Sequence, residues 1–190
     1  MEARRLRILF VDDEDLQIIG NLKAEGFDVE HWRDVESLEK LADGRYHVVF
    51  LDVRGVGKKH GGTGLDVLRY LAIHNPLVFT IVFSAKPFTP QEGELLRKHA
   101  NRCMTKDCTF YDVVEAIEDH AKTLTPEKII ENLEKTVKLG WFTRRRILKG
   151  TSLSERQLEA LARKSGIASD AVKIVANCTQ IAATLLALSA

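Results

Sequence analysis

Asp12, Asp13, Asp52, Ser84 and Lys106 are the residues whose types and spacing suggest shared chemistry. Each stands at the carboxyl end of a short apolar run. Arg7–Val11 leads into Asp12 and Asp13, Val48–Leu51 into Asp52, Val78–Phe83 into Ser84, and Arg102–Thr105 into Lys106. Carboxylates gathered at one place raise one another's pKa unless a cation is present. A hard divalent ion relieves the repulsion, and Mg²⁺ typically takes one or two carboxylates, several waters and a phosphate. A carboxylate can also attack phosphorus, giving an aspartyl phosphate. A nearby ammonium and hydroxyl would then hold the phosphoryl oxygens. The plain alternative is an N-cap Asp pair, a buried Asp and an unrelated surface Lys. Four strand ends in chain order make that coincidence poor.

The elements that must position these residues alternate. Strands are expected near 6–11, 27–31, 46–52, 77–83 and 102–105, with helices near 14–25, 35–42, 64–74, 89–99 and 108–121. Short β-branched and aromatic runs separated by helical stretches read as buried parallel strands. Such βα units give an α/β fold, a doubly wound five-stranded parallel sheet between helices. Ligands bind such sheets outside the carboxyl ends of the strands, at the topological switch point.

This pattern resembles the receiver domain of two-component response regulators over about residues 5–121. The family's acidic pair matches Asp12 and Asp13, and its phosphoacceptor matches Asp52. Its hydroxyl residue matches Ser84 before the small Ala85, its lysine matches Lys106, and Gly64-Leu65-Asp66-Val67-Leu68 looks like the glycine-led start of its third helix. The resemblance implies a flavodoxin-like receiver that accepts a phosphoryl group on Asp52 from a histidine kinase or phosphotransfer protein. It implies Mg²⁺ as cofactor, held by Asp12, Asp13, Asp52 and the backbone carbonyl of Arg54, with Ser84 and Lys106 on the phosphoryl oxygens. The chain then reads as a phosphoacceptor rather than an enzyme.

Three positions depart from the family pattern. The loop Arg54–Thr63 is glycine-rich, basic and about four residues longer than usual. It is not a P-loop, since Gly57-Lys58 is followed by Lys59 and the upstream glycine position is Asp52. It reads either as a partner-docking loop or as a plain mobile surface loop. Asp107 stands where the family commonly has a cis proline, and Cys103 stands at the usual Tyr or Phe switch position.

The 190 residues suffice for one full domain, 1–122, and a smaller one, 123–190. Three cysteines without metal-ligand spacing suit a reducing cytoplasm. The amino terminus enters a strand too soon for a signal peptide. The apolar carboxyl end, interrupted by Asn177, Thr179 and Gln180, falls short of the roughly 18–20 residues of a membrane span. Net charge is uneven: 17 Lys and Arg against 21 Asp and Glu in 1–122 give −4, and 11 against 6 in 123–190 give +5.

After Thr123 the strand signal stops, so 123–190 reads as a small all-α domain of about four helices. Thr125-Pro126-Glu127 is a helix start, and Ile129, Ile130, Leu133 and Val137 make an apolar face closed by Gly140. Trp141–Lys149 is a short basic helix, Ser152 or Ser154 caps a third to Ser165, and a fourth runs from about Ser169 to Leu188. Leu161–Ile167 followed by Val172 and Val175 resembles a helix-turn-helix, which implies DNA binding and transcriptional control. Ser169, Asp170, Lys173 and Asn177 would be its exposed positions and Arg144–Arg146 its phosphate contacts. The competing reading is a bundle for protein interaction or homodimerisation, favoured by Trp141, Phe142 and the Ile181/Leu185/Leu188 stripe.

Overall fold

The computed structural model describes residues 2–149, 151, 153–166 and 172–189. Strands β1 (Arg7–Val11), β2 (Asp28–Trp32), β3 (Val48–Leu51), β4 (Phe79–Ser84) and β5 (Arg102–Thr105) form one sheet in the order β2-β1-β3-β4-β5. Every neighbouring pair is parallel, so each strand must be followed by a crossover. Helices α1 (Gln17–Ala24), α2 (Leu38–Ala42), α3 (Gly64–His74) and α4 (Pro90–His99) supply these, and α5 (Phe110–Thr123) follows β5. This is the doubly wound order whose switch point lies between β1 and β3.

The central strands are continuously apolar because helices cover both faces. Ile8–Val11 and all of β3 are at most 1% exposed. Phe10 stacks on Phe50 with centroids 4.3 Å apart, and Phe83 meets both edge-on. At the edge only Met104 of β5 is buried. Thr89 and Thr109 close capping boxes with Glu92 and Asp112, fixing the starts of α4 and α5.

Two helices begin later than their sequence suggests. Helix α1 starts at Gln17 because the amide of Glu14 bonds the Asp12 carboxylate and Asp15 pairs with Arg33. Helix α2 starts at Leu38, where Ser37 caps it; ahead of it the Asp34 carboxylate takes the Val35 amide.

Four further helices follow: α6 (Pro126–Thr136), α7 (Trp141–Leu148), α8 (Glu155–Ser165) and α9 (Val172–Ser189). Thr125 caps α6 with Pro126 in its first turn. Helix α6 stops at Thr136, short of Gly140, because the Lys138 amide turns to the Ser165 hydroxyl, 2.8 Å away. Gly140 instead precedes α7, and Ser154 caps α8. The expected cap Ser152, the stop at Gly150 and the turn at 167–171, with Ser169 and Asp170, lie outside the described residues.

Helix α9 is the hub of this segment. Val175, Cys178, Ile181, Ala182, Leu185 and Leu186 are buried, against α6, α7, α8 and α3. Of its described side chains only Lys173, Gln180 and Ala187 are exposed. Asn177, expected to be exposed, is instead partly buried and donates to the His74 carbonyl at 3.2 Å. Among the described residues no helix is long and apolar enough to cross a membrane.

The bundle seats against the amino-terminal end of the sheet, sharing one contiguous apolar core with it. Gly44, at φ +86°, touches the backbone of α9, where a Cβ would come 2.9 Å from the Ile181 amide. Asn75 donates to the Ala42 carbonyl at 2.9 Å, and Arg5 to the Leu188 carbonyl at 3.2 Å. His47 Nδ1 accepts the Arg7 amide at 2.9 Å.

A candidate phosphoacceptor site at the carboxyl end of the sheet

Main-chain pairing continues one residue past the strands and brings the polar residues level. The amide of Asp12 donates to the Trp32 carbonyl, that of Asp52 to Val11, and that of Lys106 to Ser84. Asp12 and Asp52 therefore end the two strands that flank the switch point. Both side chains sink into the sheet's end, with Asp12 1% and Asp52 4% exposed, while Asp13 is open to solvent.

The Lys106 ammonium joins the cluster. Its Nζ lies 2.9 Å from Asp12 Oδ1, 2.9 Å from Asp52 Oδ2 and 3.0 Å from Glu14 Oε2. Burial alone would lower the Lys106 pKa, but its hydrogen bonds to Asp12, Asp52 and Glu14 hold it well above the ordinary value. Burial pushes the Asp12 carboxyl up, against the opposing pull of Lys106 and the Glu14 amide. A single ammonium thus neutralises carboxylates that would otherwise repel in a poorly solvated place.

The donor set fits a small hard cation. One oxygen each from Asp12, Asp13 and Asp52 lie within 4.8 Å of one another. Asp12 Oδ2 is buried with no hydrogen-bond partner and lies 2.9 Å from the Lys106 ammonium. Three carboxylates, one with a buried oxygen outside every hydrogen bond, match the oxygen preference of Mg²⁺.

Ser84 is fully buried at the end of β4, beside Thr105 of β5. Its hydroxyl makes long bonds to the Lys86 main chain, at 3.3 and 3.4 Å, and no bond to the carboxylates. Arg54 enters through its amide, which donates to Asp52 Oδ1 at 2.9 Å. Its guanidinium crosses to α4, pairing with Glu92 at 3.0 Å and donating to the Pro87 carbonyl.

The long loop after Asp52 makes hydrogen bonds to the segment that follows β2. Lys58–His60 form a 3₁₀ turn between Gly57 and Gly61, both in the left-handed region. The Asp34 carboxylate accepts the amides of Gly57 and Lys59, and His60 Nε2 lies 3.1 Å from the Val35 carbonyl. Burial would raise the Asp34 pKa, but these amides hold it below the ordinary carboxylate value. At Gly55 an added Cβ would overlap the Asp13 carboxylate, so a glycine there lets the loop backbone lie against the acidic pair.

Sequence reasoning missed Glu14, Arg54 as a side chain, and Asp34. Glu14 carried a signal as the third acid in a row after β1. The Arg54–Glu92 and Asp34–loop contacts join residues too far apart in the chain for spacing to reveal them. Cys103 is exposed on the edge strand.

No protein-family model and no curated protein matches the chain. Solved structures do match its fold. The receiver domain of NtrX from Brucella abortus aligns at TM-score 0.51 and 24% identity, over 61% of this chain and 98% of that one. A CheY-like response regulator receiver domain protein from Methanospirillum hungatei aligns at TM-score 0.53 and 18% identity, over 66% of this chain and 98% of that one. The longer NtrX chain from Brucella abortus aligns at TM-score 0.55 and 22% identity over 83% of this chain. This chain spans only 34% of that protein's length. The fold is that of response regulator receiver domains, followed by helices.

Proposed function

We propose that this chain is a cytoplasmic response regulator in which Asp52 accepts a phosphoryl group and the helical segment passes the signal to a partner protein. The observation that carries the reading is the Lys106 ammonium set 2.9 Å from both Asp12 and Asp52 at the switch point. The chain acts as phosphoacceptor for a histidine kinase or phosphotransfer protein, not as an enzyme with substrates of its own.

In the transfer, a carboxylate oxygen of Asp52 attacks phosphorus in the donor's phosphohistidine. The O–P bond forms as the P–N bond breaks, and its electron pair returns to the imidazole nitrogen. Lys106 then moves its charge from the Asp52 carboxylate to a phosphoryl oxygen. The Ser84 hydroxyl, held only by long bonds, is free to turn to another. Asp12, Asp13, Asp52 and the Arg54 carbonyl would hold Mg²⁺, which when bound offsets the charge of the incoming phosphoryl group.

For the helical segment, protein interaction is favoured over DNA binding because α9 is spent as the core of the bundle. The test of the acceptor reading is to incubate wild type and Asp52→Asn with acetyl phosphate and Mg²⁺ and compare intact masses. One phosphate on wild type, none on the variant and none in excess chelator is expected. An adduct on the variant, or an equal adduct without Mg²⁺, overturns the assignment.

A further inference from the structure

Helix α7 presents outward what the rest of the bundle hides. Trp141, Phe142 and Leu148 are 65%, 78% and 45% exposed, and Ile147 is the one buried residue of the helix. Trp141 and Phe142 pack edge-to-face with centroids 4.7 Å apart, and the Arg145 guanidinium lies 5.5 Å from the Trp141 ring centre. Trp141, Arg145 and Leu148 follow one another at helical spacing and share a face. Clustered exposed apolar side chains rimmed by charge mark interaction sites, and Trp and Arg are the common anchors of such sites.

The stretch of chain that carries this helix is basic. Between Glu134 and Glu155 the charged residues are Lys135, Lys138, Arg144, Arg145, Arg146 and Lys149, six cations and no anion. Glu134 reaches Arg144 at 3.7 Å, with both side chains well exposed. Pairing of that kind contributes little and is readily exchanged for a better partner.

We propose that this face of α7 binds an acidic, apolar-bearing peptide segment of a partner protein. Its apolar side chains pack on Trp141, Phe142 and Leu148, and its carboxylates meet the flanking guanidinium groups. Single-stranded nucleic acid is disfavoured because bases stack on open ring faces. Arg145 covers a face of Trp141, and the two rings stand at 81° rather than offering parallel platforms. The inference rests on the protein-interaction reading of the helical segment and is independent of phosphoryl chemistry at Asp52.

The test uses the full chain and a short fluorescein-labelled synthetic peptide of glutamate, leucine and phenylalanine, followed by anisotropy. Controls are the same peptide with lysine for glutamate, and a labelled oligothymidine. Binding of the acidic peptide alone is expected, weakened at least about tenfold by Trp141→Ala and by Arg145→Glu. Both residues are exposed, so unchanged melting temperatures confirm that the variants remain folded. Equal binding by the variants, tighter binding of oligothymidine, or no peptide binding overturns the proposal. So does a dimer in sedimentation that Trp141→Ala dissociates, since a second copy would then be the occupant. The same titration with Asp52→Asn should be unchanged, so a failure here is distinguishable from a failure of the acceptor assignment.

Discussion

His47 Nε2 lies 3.1 Å from Thr184 Oγ1, joining the entry to the third strand with the last helix. Because the Thr184 hydroxyl donates to the Ile181 carbonyl and His47 Nδ1 accepts the Arg7 amide, the neutral Nε2–H tautomer is the one that satisfies all three contacts. Burial, helped by the Arg7 charge, lowers the His47 pKa from 6.5 to about 4.

A pH dependence follows with a definite sign. A histidine held neutral by the fold contributes its stability fully above the unfolded pKa of 6.5 and loses it as pH falls toward about 4. His120, lowered to about 4 first by burial and then by His47, acts in the same direction. Melting temperature should therefore fall as pH drops through that window, and His47→Gln should flatten the slope. A flat wild-type profile would show that His47 is not neutral and clasped as described.

Thr184→Val removes the acceptor of the His47 Nε2–H and leaves a buried donor unpaired, at about 1–3 kcal/mol. Hydrogen exchange should rise in α9 while the central strands stay protected. Equal loosening throughout would mean that this contact does not hold the helix locally.

Gly44→Ala should act on the same seam. Its φ of +86° and the approach of the Ile181 amide leave no room for a methyl group, so a cost of about 2 kcal/mol is expected. Limited proteolysis should then cut between the sheet and the helices more readily than in wild type. Unchanged melting and unchanged cleavage would contradict that close contact.

Mg²⁺ should raise the melting temperature of wild type, by linkage about 2.7 kcal/mol at one hundred times the dissociation constant. Asp13→Ala should abolish the shift. Gly55→Ala should weaken it, because the new methyl displaces the Asp13 carboxylate. An undiminished shift in either variant places the ion elsewhere.

Arg54 suggests how a phosphoryl group on Asp52 would be felt at a distance. Its amide bonds Asp52 while its guanidinium grips Glu92 and the Pro87 carbonyl. With beryllofluoride as the phosphoryl mimic, hydrogen exchange should change at the start of α4, and Arg54→Ala should lose that change. A response confined to the loop at 54–63 would show that the signal leaves by the loop instead.

The strand ends were legible because apolar runs ending in Asp12, Asp52, Ser84 and Lys106 combine a hydrophobic period with a change of residue type. Contacts set by long-range packing were not. Nothing local in Gly44, His47 or Asn75 announces that α9 will lie on them, and the Leu161–Val175 pattern fits any tight pair of packed helices. The apolar content of α9 was visible, but the side toward the sheet depends on partners more than a hundred residues away.

The acidic cluster and the helical bundle occupy opposite poles of the sheet, separated by strands of four to six residues, about 13–20 Å at 3.3 Å per residue. A phosphodonor docked at one pole leaves the other uncovered. On the proposed reading, donor and downstream target would be bound at the same moment, and the protein would act as a bridge in a three-component assembly rather than a messenger that must leave one partner before meeting the next.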